Sequence, residues 1–142
     1  MKMDYSFAPL YVRIVFLFLL GAVTAGVVYV WTKKRKRMVR LVASLIPLLI
    51  FTVIACSTIY SLLNPNVQTV TCIFVEEQRS GDLINPFSND CELQCDGKTI
   101  WIELDTLTRN KVLGNINELE IGKAYIVTYE VRENLILGIK EN

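Results

Sequence analysis

Two long apolar runs lie on either side of a short basic stretch, and this arrangement restricts the fold of the first half of the chain more than any other feature. The runs cover Tyr11–Trp31 and Leu41–Leu63, and the basic stretch covers Thr32–Arg40. About 20 apolar residues in a helix span the hydrocarbon core of a bilayer. Lys and Arg between two such helices are retained in the cytoplasm. The sequence therefore predicts a membrane α-helical hairpin over residues 1–64, with two transmembrane helices, a cytoplasmic loop at 32–40 and both chain ends outside the cytoplasm.

Charge divides the chain at the same place. Residues 1–64 carry eight Lys or Arg against one acid, and residues 65–142 carry seven against thirteen. Cations beside a membrane helix are attracted to the anionic inner leaflet by about 1 kcal/mol each. The predicted membrane-surface residues are Lys33, Lys34, Arg35, Lys36, Arg37 and Arg40. The acidic second half argues against a nucleic-acid partner, which requires a basic surface.

The first run contains two features that predict contacts. Arg13 lies one turn into the helix, where it either snorkels outward to the headgroups or contacts a partner as an intramembrane charge. Small residues recur four apart in the pairs Gly21/Ala25 and Ala22/Gly26, which favours close approach of another helix. That helix is either the second helix of this chain or a helix of another membrane protein.

The second run contains a segment, Val53–Cys56, that resembles a bacterial lipobox, the sequence cut before a cysteine that is then lipidated. The segment is internal, and the apolar run continues past it to Leu63. The sequence therefore leaves two alternatives, a lipidated Cys56 after cleavage or an intact second helix.

Residues 65–142 form short segments of alternating apolar and polar residues, which are typical of β-strands. Asn64–Asn66 separates them from the helices, because Pro between two Asn residues ends regular structure. Asp96-Gly97 is typical of a tight hairpin turn. One short helix or turn is expected between the third and fourth strands. The five strands are predicted at Val67–Glu77, Glu92–Cys95, Lys98–Leu104, Lys123–Val131 and Leu135–Lys140.

This order of segments resembles an OB-fold, a five-stranded Greek-key barrel. The resemblance rests on the place of the short insertion and on the last hairpin. Leu119–Tyr129 followed by Asn134–Lys140 has apolar positions and turns similar to those of small OB-type domains. The resemblance implies that residues 65–142 form a small all-β OB-like five-stranded barrel, which the predicted topology places outside the cytoplasm.

A long irregular segment, Gln78–Asp90, follows the first predicted strand. Loops of this length without secondary structure are often functional. The apolar side chains Leu83, Ile84 and Phe87 either meet a partner or pack inward, with Phe87 as a plug at one end of the barrel. Because the loop after the first strand borders the ligand face in OB-folds, we expect these residues, with Trp101 nearby, to form the main contact site for a protein partner.

Three cysteines of the second half are disulfide candidates: Cys72, Cys91 and Cys95. Outside the cytoplasm a disulfide is permitted. Cys91 and Cys95 point to the same face of one strand about 13 Å apart, too far for a direct bond. Cys72 is therefore expected to pair with one of them, and the alternatives are buried free thiols or a metal or redox site.

The sequence contains no histidine, no Gly-rich phosphate loop and no serine nucleophile motif. We therefore expect neither enzymatic activity nor a cofactor or metal. The favoured hypothesis is a non-enzymatic membrane-anchored binding or accessory protein, with the lipid bilayer and a membrane or envelope protein as partners. An immunity-type protein that neutralises a secreted toxin is one version. The alternatives are a regulatory subunit of a membrane transporter or protease, and a small-ligand or glycan sensor.

Overall fold

The structure, a computed structural model, describes residues 5–81 and 86–142. Two long apolar helices come first, α1 at Ala8–Trp31 and α2 at Arg37–Leu63. Both are long and apolar enough to cross a membrane. The first helix begins three residues before the apolar run because Pro9 occupies its first turn, where no backbone donor is needed. The loop between the helices is shorter than predicted, since Arg37 and Arg40 belong to α2.

Five strands and one short helix follow, which confirms the predicted number of strands. The strands are β1 at Val67–Arg79, β2 at Ser88–Cys95, β3 at Lys98–Asp105, β4 at Ala124–Glu130 and β5 at Leu135–Glu141. The short helix, α3 at Arg109–Leu113, lies between β3 and β4, where an insertion was expected. The β2–β3 turn has positive φ at Asp96 and Gly97, as the Asp-Gly pair predicts.

The strands form one mixed sheet in the order β1-β2-β3-β5-β4, and β4 also pairs with β1, so the order closes on itself. β1 serves two neighbours: its first half pairs with β4 and its second half with β2. Ile73 pairs with both neighbours, and a register shift between Phe74 and Glu76 follows within the pairing with β2, as expected where a strand bends. The closing contact is parallel and has one ladder pair, Glu103 with Leu135.

The buried apolar residues form two clusters. The larger one lies inside the sheet and includes Phe74, Leu93, Ile102 and Val127. The smaller one joins helices to sheet, since Leu10 of α1 is fully buried with Leu135 and Leu137 of β5. The helices therefore pack directly against the sheet as well as being linked to it through the chain.

The predicted small-residue face of α1 is split between two sides of the helix. Gly21 is buried against α2, where an added β-carbon would meet Phe51 and Leu48. Ala25 is half-buried. Ala22 and Gly26 are exposed, and a side chain at Gly26 would meet no atom within 4 Å. Of the four predicted packing residues, Gly21 therefore contacts the second helix most closely, and Ala22 and Gly26 face away from it.

Gly21→Ala should have a lower thermal midpoint in detergent than Gly26→Ala. A β-carbon at position 21 would lie 3.1 Å from Cβ of Phe51, an atom beside the α2 backbone, so α2 would have to shift slightly. Gly26→Ala is the matched control, because the added methyl group meets open space and alanine favours a helix by about 1 kcal/mol over glycine. Its midpoint should be unchanged or higher. Equal midpoints for the two variants would contradict the packing of Gly21 on α2.

Candidate functional site

Arg13 of α1 bridges two elements of the sheet. Its guanidinium lies 2.7 Å from a carboxylate oxygen of Glu103 on β3 and 3.2 Å from one of Glu133 in the β4–β5 turn. It also donates to the backbone carbonyl of Glu133 at 3.3 Å. The side chain is 14% exposed. The sequence left two alternatives for Arg13, snorkelling to the headgroups or contact with a partner as an intramembrane charge. In the structure its partners are instead carboxylates of the chain itself, Glu103 and Glu133.

The second helix contacts the same turn. Ser61 near the end of α2 donates its hydroxyl to Glu133 at 2.9 Å. The segment before α1 adds a backbone bond, since the amide of Ser6 donates to the carbonyl of Leu137 at 2.9 Å. We call this set the helix–sheet junction: Arg13, Ser61, Glu103, Glu133 and the apolar cluster around Leu10.

The connection between α2 and β1 is fixed by a buried carboxylate. Glu130 is fully buried and accepts from the amides of Asn66 at 3.0 Å and Glu133 at 2.7 Å. Arg132 lies 3.8 Å from the same carboxylate, and its guanidinium stacks on the ring of Tyr60. The Asn-Pro-Asn segment is therefore held against the sheet.

The junction covers the place where the sheet closes. The amide of Glu103 donates to the carbonyl of Asn134 at 2.9 Å, and the Asn134 side chain donates to the carbonyl of Trp101 at 2.9 Å. Arg13 thus binds one carboxylate on β3 and one in the turn before β5. The pairing of β3 with β5 is short, because one ladder pair joins the two strands. The bonds from Arg13 of α1 therefore reinforce this pairing.

Both ends of the predicted contact loop belong to strands in the structure, and Phe87 lies against α1. Gln78 and Arg79 continue β1, and Ser88–Asp90 begin β2, where they pair with residues 103–105 of β3. The ring of Phe87 meets the ring of Phe16 edge to face, with centroids 6.1 Å apart. Phe87 is 42% exposed, so it does not plug the sheet. Leu83 and Ile84 lie outside the described residues.

Trp101 lies on the outer face of β3 and not beside Phe87. It pairs across the sheet with Glu92 and is 43% exposed. Asp105, which pairs with Ser88 next to Phe87, is four residues further along β3, about 13 Å away. The structure therefore separates the two aromatic residues that were expected to share one contact site.

Comparisons with protein-family models, with curated proteins and with solved structures found no match. What the chain does has to be inferred from the chemistry of its residues. Within residues 5–81 and 86–142, no three His, Cys, Asp or Glu side chains are placed to hold a metal ion. The charged groups of the junction bond to one another, which suits them to fix one part of the molecule against another.

The cysteines of the sheet behave differently from one another. Cys72 and Cys95 stand opposite each other on β1 and β2, with α-carbons 4.4 Å apart, and form a disulfide. Cys91, the other candidate partner, is a buried free thiol. Burial, assisted by the negative charge of Glu77, raises its pKa to about 12. Cys91 therefore stays protonated and unreactive, whereas the free thiol of Cys56 is exposed on α2.

One further ion pair joins the loop end of the sheet to α3. Arg109 and the side chain of Asn89 both donate to Glu77, the latter at 2.7 Å. Burial alone would raise the pKa of Glu77, but the bonds from Arg109 and Asn89 and the Arg109 charge lower it below its ordinary value. This pair stabilises the base of the loop that carries Phe87.

The basic residues lie at the opposite end of the helices from the sheet. Lys33, Lys34, Arg35, Lys36 and Arg37 are exposed. Arg40 stacks on the ring of Tyr29, 4.0 Å from its centroid, and donates to the Tyr29 carbonyl. The two ends of the helical pair therefore differ sharply, with cations at one end and an acidic sheet at the other.

Proposed function

We propose that the chain is a non-enzymatic, membrane-anchored binding or accessory protein. Its two helices, of 24 and 27 residues, cross the cytoplasmic membrane as a hairpin, with the basic loop in the cytoplasm. Its closed five-stranded sheet is an OB-like barrel outside the cytoplasm. Five strands with a short helix between the third and fourth, in an order that returns to β1, support the OB-like assignment.

The observation that carries this proposal is the helix–sheet junction. A domain that needs only to be retained at a membrane is served by a flexible linker. Here Arg13, Ser61 and the buried Glu130 fix the sheet to both helices. A fixed orientation relative to the helices is useful when a surface of the domain has to meet a partner that is itself fixed in, or recruited to, the same membrane.

The surface proposed for that partner is the outer face of β3 around Trp101. An exposed tryptophan on a sheet held rigidly by its neighbours suits protein recognition, in which Trp residues are enriched among the strongest contacts. The partner is a membrane or envelope protein, or a secreted toxin if the chain is an immunity-type protein.

A second candidate function is regulation of a membrane transporter or protease through the helices. Ala22 and Gly26 favour it, because they lie on the exposed side of α1 and leave room for another helix. In this second candidate the partner would contact α1 within the bilayer. In the favoured proposal the partner contacts the outer face of β3.

Site-specific photo-crosslinking in the source cell would separate these candidates. A benzophenone amino acid would replace Trp101 on β3, Val23 on the exposed side of α1, or Ile121 as a control. Ile121 precedes β4 and is 78% exposed. Crosslinks from position 101 to an integral or envelope protein support the accessory function, and crosslinks to a secreted protein support the immunity version. Crosslinks from position 23 alone favour regulation through the helices, and absence from both positions contradicts both proposals.

Membrane topology gives a separate prediction. In a Cys56→Ser background, a thiol reagent that cannot cross membranes should label Asn115→Cys in intact cells and should miss Lys36→Cys. Asn115 is exposed beside α3, and Lys36 is exposed between the helices. The native Cys91 thiol should stay unlabelled because it is buried and its pKa is raised to about 12. Labelling of Lys36→Cys but not of Asn115→Cys would reverse the proposed topology.

A further inference from the structure

The contact between Arg40 and Tyr29 defines one level along both helices. At 1.5 Å per residue, 20 residues cover about 30 Å, the thickness of the hydrocarbon core. Counted from Tyr29, this length ends at Pro9 on α1, and counted from Arg40, it ends at Tyr60 on α2. Leu10 and Leu62, the neighbours of these end points, pack in the same cluster. The two end points therefore lie at one level, and the smaller apolar cluster that joins the helices to the sheet is at that level.

Phe87 lies well inside that outer level. Its ring contacts Phe16, which is seven residues beyond Pro9, about 10 Å along the helix axis. Leu107 is close by, because the amide of Thr106 donates to the carbonyl of Phe87 at 2.9 Å. Leu107 is 58% exposed. One edge of the sheet thus carries two exposed apolar side chains, and one of them, Phe87, contacts α1.

Several charged groups near this edge are engaged within the fold. Asp105 is buried and accepts from the backbone amide of Thr108 at 3.1 Å. Arg109 pairs with Glu77, and Arg13 pairs with Glu103. The apolar side chains can therefore meet hydrocarbon without bringing an unpaired charge from these groups with them.

We propose that Phe87 and Leu107 insert into the outer leaflet of the bilayer, so that the sheet is partly embedded beside α1. This inference rests on the proposed placement of both helices across the membrane. Its occupant is lipid, because the edge continues the exposed apolar side of α1, where Val15 and Leu19 are 58% and 59% exposed. Burial of such side chains in an apolar medium is favourable, because it removes apolar surface from water.

Quenching of tryptophan fluorescence by brominated phospholipid tests the proposal. The full chain carries Trp31→Phe and Trp101→Phe, and one probe is added by Phe87→Trp, Leu107→Trp, Val15→Trp or Ile121→Trp. Each variant is reconstituted at high lipid excess into vesicles with bromine in the upper half of the acyl chains. The loss of emission at positions 87 and 107 should approach the loss at position 15 and exceed the loss at position 121 several-fold.

The probes at positions 15 and 121 separate the possible failures. Ile121 precedes β4, at the end of the strand that is farther from the junction. Glu130, at the other end of β4, is about 20 Å away and contacts the segment that follows α2. A probe at position 121 should therefore stay in water. Strong quenching at position 15 with weak quenching at both 87 and 107 overturns the inference, because the edge then faces away from lipid. Weak quenching at position 15 as well overturns the membrane placement, and with it the proposed function.

Discussion

Arg13→Ala should lower the free energy of unfolding by about 3 kcal/mol, the range seen when one partner of a poorly exposed ion pair is removed. The carboxylates of Glu103 and Glu133 would then face each other at the junction without their counter-charge. The contact between β3 and β5 should weaken at the same time, since Arg13 joins the two sides. Thermal and denaturant unfolding of the full chain in detergent micelles, followed by circular dichroism, measures the loss.

Lys123→Ala is the matched control. Lys123 also pairs with two carboxylates, Glu120 and Glu141, but on an exposed surface. Solvent screens such pairs, so its midpoint should stay close to that of the native chain. Adding Glu103→Gln and Glu133→Gln to Arg13→Ala should restore part of the loss, because the two negative charges that Arg13 balanced are then removed as well. If Arg13→Ala unfolds at the same midpoint as Lys123→Ala, the junction does not fix the sheet to the helices.

Removing the disulfide with Cys72→Ala and Cys95→Ala should cost about 3 kcal/mol, because the bond closes a loop of 23 residues in the unfolded chain. Non-reducing peptide mapping should recover one linked pair, 72 with 95, and a free Cys91. Cys56→Ala is the control, since its thiol is exposed on α2 and takes no part in the bond. A native chain with the same midpoint before and after reduction would contradict the stabilising role of this bond.

The elements that local chemistry dictates could be read from the sequence. The two apolar helices follow from run length, and the five strands follow from alternating side chains and turn residues such as Asp96-Gly97. The length of β2 could not be read in this way. Ser88, Asn89 and Asp90 are polar residues that are typical of loops, but they pair with the end of β3. Tertiary pairing here overrides local preference.

The candidate site was harder to predict, because its contacts join residues far apart in the sequence. Arg13 was identifiable as an unusual charge near a helix end, but its partners lie 90 and 120 residues away. The choice between Cys91 and Cys95 depended on register, which pairs Ile73 with Gln94 and so brings Cys72 opposite Cys95. The alternation of apolar and polar side chains shows which face of a strand a residue occupies, but not how the strand is aligned with its neighbour. The sequence therefore left both Cys91 and Cys95 as possible partners of Cys72.

The separation between Arg13 and Glu133 also sets an order of events during synthesis. A chain grows at about 5 to 20 residues per second, so the 120 residues that separate the two take about 6 to 24 s to be made. The first helix is complete before either carboxylate exists, because Glu103 follows Arg13 by 90 residues and Glu133 by 120. We expect the Arg13 side chain of the nascent chain to lie among the headgroups at first. It should move to Glu103 and Glu133 when the last hairpin emerges.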